Sequence, residues 1–168
     1  IVLYGDTPFV RPDTLAAMLE ARAAGAAVVA LGFEAKDPTG YGRLALGADG
    51  ALEAIVEDRD ATPDERAITL CNSGVICADA RTLFALLGEV RAENAKGEIY
   101  LTDVVGLARA RGLAAAAIRC DEAETLGVNS RADLAAAEAA FQARARAEAM
   151  ENGATLTDPA TVWFALDT

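Results

Sequence analysis

The 168-residue sequence contains no histidine, one tryptophan and three cysteines, and aromatic residues make up only 5% of it. Without histidine, a Ser-His-Asp triad is excluded and the commonest general base of enzymes is missing. Because the cysteines form no CxxC pair, the sequence argues against a zinc site built from Cys and His. Cys71 and Cys77 lie in an apolar stretch and are predicted to be small buried hydrophobic residues.

The sequence also lacks long apolar runs and is poor in cationic residues. No apolar run approaches the roughly 20 residues that cross a bilayer, so we expect a soluble cytoplasmic protein. The 15 Lys and Arg stand against 26 Asp and Glu, a net charge of −11. Such a surface repels nucleic acid and anionic membranes, and we expect neither as a partner. A phosphorylated ligand would require a bound cation or a locally positive loop.

Aliphatic residues are abundant, and hydrophobic residues in total make up 53% of the chain. Apolar strands alternate with helical segments, which predicts an α/β fold with parallel pairing and helices on both faces of the sheet. Strands are predicted at residues 26–33, 68–77 and 114–119. A hairpin is predicted to join Arg43–Leu46 to Leu52–Val56 through an Asp-Gly turn.

The chain begins inside an apolar segment, residues 1–4, which is predicted to be a short buried strand. Because no initiating Met or polar lead-in precedes it, we expect the sequence to be a fragment of a longer protein. Helices are predicted at residues 100–111 and 131–150. Asp13 or Thr14 is expected to cap the helix that follows the first loop.

Asp6 directly follows the first predicted strand and is therefore expected at the carboxyl edge of the sheet, where ligands bind in open α/β folds. Gly5 lets the backbone approach a ligand closely, and Asp6 is a hard oxygen donor suited to Mg²⁺. The alternative is that Asp6 only caps a turn or a helix. Asn129 offers a carbonyl oxygen that can complete a magnesium site with Asp6, or it can serve as a helix N-cap.

Further polar residues stand at the ends of elements or inside apolar strands. The glycine-containing loop 37–43 can close over a sugar hydroxyl or an acyl oxygen, or it can be an ordinary turn. Glu57 can accept two hydrogen bonds from vicinal sugar hydroxyls, or it can be a solvated residue at a strand end. Asn72 must pair both ends of its amide, either with a ligand or within the core. Thr102 or Asp103 can cap the following helix.

Together these motifs form one ordered series that runs from residue 1 to about residue 165. Its members are Tyr4-Gly5-Asp6, Asp37-Pro38-Thr39-Gly40-Tyr41-Gly42-Arg43, Ile55-Val56-Glu57, Asn72-Ser73-Gly74, Gly97-Glu98-Ile99-Tyr100-Leu101-Thr102-Asp103 and Gly127-Val128-Asn129. In order and spacing the series resembles the bifunctional N-acetylglucosamine-1-phosphate uridyltransferases. The segment at residues 37–43 is the most specific part, since related sugar nucleotidyltransferases share the strand-end Asp but usually not that run.

The resemblance implies a Rossmann-like nucleotidyltransferase mixed sheet with helices on both faces, then a long helix leading to the start of a left-handed β-helix. Residues 1–129 would form an incomplete nucleotidyltransferase (pyrophosphorylase) domain, residues 130–150 a linker helix and residues 151–168 the start of the β-helix domain. The full-length protein would be a homotrimer. Its C-terminal domain, missing from this sequence, would acetylate glucosamine-1-phosphate with acetyl-CoA.

The implied reaction is uridylyl transfer from UTP to N-acetylglucosamine-1-phosphate, giving UDP-N-acetylglucosamine and pyrophosphate for peptidoglycan and lipopolysaccharide precursors. Tyr4, Gly5 and Asp6 would line the uridine-diphosphate site, and Gly42, Glu57 and Asn72 would hold the N-acetylglucosamine unit. Tyr100 and Thr102 match positions near the sugar and the phosphate. The residues implied to bind substrate are Tyr4, Gly5, Asp6, Gly42, Glu57, Asn72, Tyr100, Thr102 and Asn129. Asp6 and Asn129 would also hold Mg²⁺ and count as catalytic.

One departure from the family concerns the triphosphate. The family's glycine-rich loop with its basic residues lies upstream of the strand that starts this sequence, as do the residues that read uracil. No such loop occurs elsewhere in the chain, so we expect these 168 residues alone to be inactive. The alternatives are another sugar-1-phosphate nucleotidyltransferase and a non-catalytic domain that binds a nucleotide sugar.

Overall fold

A computed structural model describes residues 1–92 and 97–165 of the chain. It divides into two compact units, residues 1–125 and 126–168, and each is described by itself. The elements of the first unit are α1 (Pro12–Ala23), β1 (Val28–Glu34), β2 (Arg43–Leu46), β3 (Leu52–Val56), α2 (Pro63–Arg66), β4 (Leu70–Ala78), α3 (Ala80–Leu87), α4 (Asp103–Ala110), β5 (Ala115–Cys120) and a 3₁₀ helix (Glu122–Thr125).

The five strands form one mixed sheet in the order β3-β2-β4-β1-β5. Only β1 and β5 pair in parallel, whereas β1–β4, β2–β3 and β2–β4 are antiparallel. The mixed sheet that the resemblance implies is therefore confirmed, and the parallel pairing expected from the alternation of strands and helices is limited to β1 and β5 among the described strands. A tight hairpin reverses β3 against β2, while β5 comes after α3 and α4 and so can return parallel to β1.

β1 is buried except at its last residue and carries helices on both of its faces. Val28 and Ala30 pack in a cluster that includes Val104 of α4. Val29, on the other face, packs in a second cluster with Met18 of α1. Because alternate residues of a strand face opposite sides, this division confirms the predicted α/β fold with helices on both faces.

Local patterns predicted most element positions well. The hairpin has the predicted bounds, and the strands predicted at 26–33, 68–77 and 114–119 lie within two residues of the observed ones. The helix predicted at residues 100–111 starts later, at Asp103, because residues 101–102 form a turn. Cys71 and Cys77 are buried and unbonded, as predicted. α1 begins at Pro12, and neither Asp13 nor Thr14 occupies its N-cap position.

Residues 1–4 do not form the buried strand that was predicted. Val2 alone pairs with the sheet, through two backbone hydrogen bonds to Ile76 of β4. Ile1, Leu3 and Tyr4 are about half exposed. A single bridge fixes only one residue, so the side chains on either side of it gain little burial.

The second unit contains α5 (Arg131–Glu151) and the segment that follows it. No helix in the described ranges is both long and apolar enough to span a lipid bilayer. Residues 152–165 contain a 3₁₀ turn (Pro159–Thr161) and no strand. The start of a β-helix therefore remains a prediction, and residues 166–168 lie outside the described part of the chain.

Side chains of α5 hold the backbone of that following segment. Gln142 is almost fully buried, its Nε2 donates to the carbonyl of Phe164 at 2.8 Å, and its Oε1 accepts from the N–H of the same residue at 2.8 Å. Arg146 donates from Nε to the carbonyl of Val162 at 2.7 Å, and its guanidinium lies 5.6 Å from the ring centroid of Trp163. The segment thus folds back along the helix.

Candidate functional site

One edge of β4 changes its partner midway along the strand. Ile76 pairs with β1 on one side and with Val2 on the other, so Val2 lies on the edge opposite β1. Further along that edge, the N–H of Asn72 donates to the carbonyl of Gly42 at 2.8 Å, next to β2. Between these two partners the edge of β4 opens around Gly74. This opening is the candidate ligand site, because residues of several of the predicted motifs lie around it.

The strand is irregular at this opening. The register between β1 and β4 shifts beside Leu31, and Gly74 has a φ of +88°. Ser73 donates its hydroxyl to the carbonyl of Leu31 at 2.8 Å and so replaces a missing backbone bond. A bulge at the edge of a site redirects neighbouring side chains, here that of Asn72.

The side-chain amide of Asn72 is bonded within the chain at its oxygen but not at its nitrogen. Its Oδ1 accepts the N–H of Gly74 at 3.1 Å, which fixes the orientation of the amide. Its Nδ2 has no hydrogen-bond partner within residues 1–92 and 97–165. Because the side chain is only partly buried, this N–H₂ group remains available to donate to a ligand.

Tyr4 and Gly74 are in direct contact, although they come from separate sequence motifs. A Cβ atom built on Gly74 would lie 2.2 Å from Cε2 of Tyr4, so the ring occupies the space that a side chain at position 74 would need. This contact brings the turn that carries Asp6 next to the opening beside Asn72. The first and fourth motifs of the series therefore meet in the fold.

Gly5 and Asp6 form an exposed turn after Tyr4. Thr7 closes the turn by donating its N–H and its hydroxyl to the carbonyl of Tyr4, at 3.4 and 3.1 Å. The carboxylate of Asp6 has no partner in the described part of the chain and caps neither this turn nor α1. Asp6 is exposed, so its carboxylate is accessible to a hard divalent cation.

Gly42, Glu57 and Thr102 converge beside the opening. A Cβ built on Gly42 would lie 3.5 Å from each carboxylate oxygen of Glu57, so a larger residue would crowd that group. Thr102 is buried and donates its hydroxyl to Oε1 of Glu57 at 3.0 Å. Thr102 stands at the N-cap position of α4 but makes no side-chain capping bond there. The alternative in which it simply caps the helix is therefore wrong.

The surroundings of Glu57 are acidic. Burial raises the pKa of Tyr100, and the carboxylates of Asp60, Glu98 and Glu57 raise it further against the lowering effect of Arg59. Burial and Asp60 likewise raise the pKa of Asp103. Such carboxylates suit a ligand that donates hydrogen bonds, such as a sugar hydroxyl.

Asn129 lies in the second unit, just before α5. Ser130 is the N-cap of α5, and its hydroxyl oxygen accepts from the N–H of Asp133 at 3.1 Å. The backbone N–H of Asn129 donates to the Asp133 carboxylate at 3.1 Å. The side chain of Asn129 is therefore not used for capping, which rules out that alternative, while its pairing with Asp6 around a metal remains a prediction.

The sequence did not predict the burial of two ionic residues, Arg43 beside the site and Glu124 at the start of α1. Arg43 is 2% exposed and forms an ion pair with Asp58 at 3.0 Å. Glu124 is 5% exposed, and its Oε2 accepts the N–H of Arg11 at 3.0 Å and the hydroxyl of Thr14 at 2.7 Å. Charged residues next to turns are usually solvated, so neither residue type nor spacing signals their burial.

Curated relatives match the whole chain in sequence. It is 66% identical over 168 residues to the bifunctional protein GlmU of Cereibacter sphaeroides (strain ATCC 17025 / ATH 2.4.3), covering all of the chain and 37% of that protein. The GlmU proteins of Roseobacter denitrificans and Rhodospirillum rubrum are 62% and 58% identical, with all of the chain and 37% and 38% of those proteins covered. The chain thus spans less than two-fifths of the length of these relatives. No family model matches it.

Solved structures match the fold. A nucleoside-diphosphate-sugar pyrophosphorylase from Vibrio cholerae superimposes with a TM-score of 0.53 at 13% identity, over 76% of this chain and 49% of its own. A putative glucose-1-phosphate thymidylyltransferase from Bacillus anthracis gives 0.52 at 17% identity, over 89% and 53%. These likenesses show a fold shared with sugar nucleotidyltransferases. Over its whole length, the chain is therefore similar in sequence to one part of the bifunctional GlmU proteins, and in fold to the sugar nucleotidyltransferases.

Proposed function

We propose that the chain carries the sugar side of a uridyltransferase site, which joins UTP and N-acetylglucosamine-1-phosphate into UDP-N-acetylglucosamine and pyrophosphate. The observation that carries this proposal is the convergence of Gly42, Glu57 and Asn72 beside one opening at the edge of β4. The 58–66% identity to bifunctional GlmU proteins over the whole chain supports it independently.

The free groups at the opening fit an N-acetylated sugar. Glu57 presents a carboxylate that can accept hydrogen bonds from two neighbouring hydroxyls, and Thr102 restrains one of its oxygens. The Nδ2 group of Asn72 can donate to an acetamido or hydroxyl oxygen. Gly42 keeps the space above Glu57 clear of a side chain, so that a sugar ring can lie there.

The reaction requires no general base from the chain. The phosphate oxygen of the sugar phosphate is already anionic, and it forms the new bond to the α-phosphorus of UTP while the bond to pyrophosphate breaks. Catalysis then depends on positioning and on neutralising charge. This agrees with a chain that has no histidine.

Asp6 and Asn129 are the residues that would hold a divalent cation, and we propose Mg²⁺. Their side chains fit a hard cation, since the Asp6 carboxylate is exposed and unpaired among the described residues and the Asn129 side chain is not used for capping. When bound, the metal neutralises phosphate charge, which a chain with a net charge of −11 otherwise repels. The turn at Gly5 and the ring of Tyr4 would place the nucleotide beside it.

For a protein of the relatives' full length, we propose a homotrimer that also acetylates glucosamine-1-phosphate from acetyl-CoA, with residues 151–168 leading into the acetylating domain. We propose residues 1–129 as the nucleotidyltransferase part and residues 130–150 as the linker helix. UTP and sugar phosphates are cytoplasmic metabolites, so the cytoplasm is the proposed location.

The test is a coupled assay on the protein at its full natural length. UTP and Mg²⁺ are supplied with N-acetylglucosamine-1-phosphate or with glucose-1-phosphate, and pyrophosphate release is followed. We expect turnover that prefers the N-acetylated substrate and falls at least about 10-fold in Glu57→Gln, because the amide can accept at only one atom.

Each other result has a defined meaning. Equal turnover of glucose-1-phosphate would contradict the N-acetyl assignment and favour another sugar nucleotidyltransferase. Binding of UDP-N-acetylglucosamine without pyrophosphate release would contradict catalysis and leave a binding domain. Unchanged kinetics in Glu57→Gln would remove Glu57 from the site.

A further inference from the structure

Arg43 lies between two site residues in the chain and contacts the neighbours of both. Its Nη1 donates to the carbonyl of Tyr41, the residue before Gly42. Its Nη2 donates to Oδ1 of Asp58, the residue after Glu57, at 3.0 Å. One guanidinium therefore ties together the two segments that carry Gly42 and Glu57.

This link is made from the face of the hairpin opposite to the site. Arg43 is opposite Val56 in the β2–β3 ladder, while Leu44 is opposite Ile55. A Cβ on Gly42 would lie 3.3 Å from Cγ2 of Ile55, so Gly42 shares the face of Ile55. Because side chains alternate along a strand, the Arg43 side chain is on the reverse face.

Burial of the guanidinium restricts one end of this link, and packing restricts the other. Arg43 is 2% exposed and Asp58 is 25% exposed at the side chain. Beneath them, Tyr41 packs edge-on against the buried ring of Phe33, with ring centroids 5.1 Å apart. A planar guanidinium that donates to two acceptors in a buried setting holds both at fixed positions.

The same residue is a poor source of stability. Nε of Arg43 is buried and has no hydrogen-bond partner among residues 1–92 and 97–165. An unsatisfied buried donor costs free energy, and buried ion pairs can often be replaced by apolar residues without loss. A positional role explains its presence better than a stabilising one does.

We infer that Arg43 is a positioning residue for sugar recognition: by joining the Tyr41 carbonyl to Asp58, it holds Gly42 and Glu57 at the spacing that the sugar requires. This inference rests on the proposed function for its kinetic consequences. Its structural consequence is independent of that function, because the carbonyl of Gly42 accepts the N–H of Asn72 at 2.8 Å. Release of the link should loosen that bond.

The experiment compares Arg43→Met and Arg43→Lys with the matched control Arg109→Met in the protein at its full natural length. Arg109 also forms an ion pair with a hairpin residue, Glu53 at 2.6 Å, but away from Gly42 and Glu57. The readouts are the KM values for N-acetylglucosamine-1-phosphate and UTP, kcat, the free energy of unfolding, and amide hydrogen exchange at Asn72.

For Arg43→Met we expect the KM of the sugar phosphate to rise at least about 10-fold, with a change in the KM of UTP below about 2-fold. Exchange at Asn72 should accelerate. Arg43→Lys should have a sugar-phosphate KM between those of wild type and Arg43→Met, because an ammonium group cannot reproduce the planar pair of N–H donors of a guanidinium. Adding Asp58→Ala to Arg43→Met should cause no further rise in the sugar-phosphate KM, since both substitutions remove the same link.

Several results would overturn the inference. Unchanged sugar-phosphate KM with unchanged Asn72 exchange would show that the link positions nothing. An equal rise in both KM values that follows a loss of stability, or an equal effect of Arg109→Met, would show a merely structural role. If wild-type protein does not use the sugar phosphate, the proposed function fails, and Asn72 exchange alone decides whether Arg43 holds Gly42.

Discussion

Thr102 donates its hydroxyl to Oε1 of Glu57 across 3.0 Å and so joins the start of α4 to the residue that follows β3. The hydroxyl stands at the N-cap position of α4 but is directed to a carboxylate of the site. Removal of this hydroxyl should therefore affect both the attachment of the start of α4 and the position of the Glu57 carboxylate.

Thr102→Val removes that hydroxyl at nearly constant volume. Because the bond restrains a partly buried carboxylate, the proposed function predicts that the KM for N-acetylglucosamine-1-phosphate rises roughly 10-fold in the protein at its full natural length, with a loss of about 1–2 kcal/mol in the free energy of unfolding. Thr102→Ser keeps the hydroxyl and should stay close to wild type in steady-state kinetics. Equal KM values for the Val and Ser variants would contradict the role of the bond.

Gly74→Ala tests the contact with Tyr4. Its φ of +88° predicts a loss of about 1–2 kcal/mol from backbone strain, and the new methyl group would displace the exposed Tyr4 ring. Gly50→Ala is the matched control, since Gly50 has a φ of +79° with open space around it.

The two alanine variants should lose similar free energies of unfolding in urea, but only Gly74→Ala should shift the NMR ring signals of Tyr4. If both leave these signals unchanged, Tyr4 does not lie over Gly74 in solution.

Glu124→Ala should destabilise the start of α1. Its carboxylate accepts the N–H of Arg11 and the hydroxyl of Thr14 on one oxygen, so its removal leaves both donors without their partner. We expect a loss of about 2 kcal/mol in the free energy of unfolding, measured with urea. Thr14→Val should lose less, and the double variant less than the sum of the two. Additive losses would mean that the two residues do not interact.

Cys120 should be an unreactive thiol in the folded protein. Burial, followed by the charges of Glu124 and Asp121, raises its pKa from 9.0 to about 12. At pH 8 its thiolate is then about 1,000-fold scarcer than in the unfolded chain. Alkylation by iodoacetamide, mapped by mass spectrometry, should be correspondingly slow and should become fast in guanidinium.

The same shift makes stability depend on alkaline pH. The raised pKa favours the protonated folded form, so its stabilising contribution is complete below pH 9 and is lost as the pH rises towards 12. Cys120→Ala should flatten this part of the stability profile. Native alkylation as fast as that of the denatured chain would contradict the burial of the thiol.

Features that depend on neighbouring residues were predictable from the sequence. The hairpin from Arg43 to Val56 has its predicted bounds because an Asp-Gly turn and the strand pattern specify it locally. The burial of β1 followed from its continuous apolar run. The ordered motifs also identified Gly42, Glu57 and Asn72, which the fold brings to one edge.

Features that depend on distant partners were not predictable. Asp13 or Thr14 was expected to cap α1, whereas the Thr14 hydroxyl bonds to Glu124, 110 positions away. Local pattern indicated Thr102 or Asp103 as a cap of α4, because spacing cannot reveal that Thr102 bonds to Glu57. The sequence around Asp58 does not predict that Arg43 is buried beside it, since the residues next to Asp58 in the chain are polar.

Gln142 hydrogen-bonds to the main-chain carbonyl and N–H of Phe164 through one side-chain donor and one side-chain acceptor. A side-chain amide carries the same pair of groups as a peptide, so α5 presents at this point the equivalent of one residue of a neighbouring strand. The bonded groups at position 164 are the main-chain N–H and C=O, and proline is the one amino acid that lacks this N–H. Natural variation there should therefore be broad in side chain and closed to proline, while position 142 should accept almost nothing but glutamine.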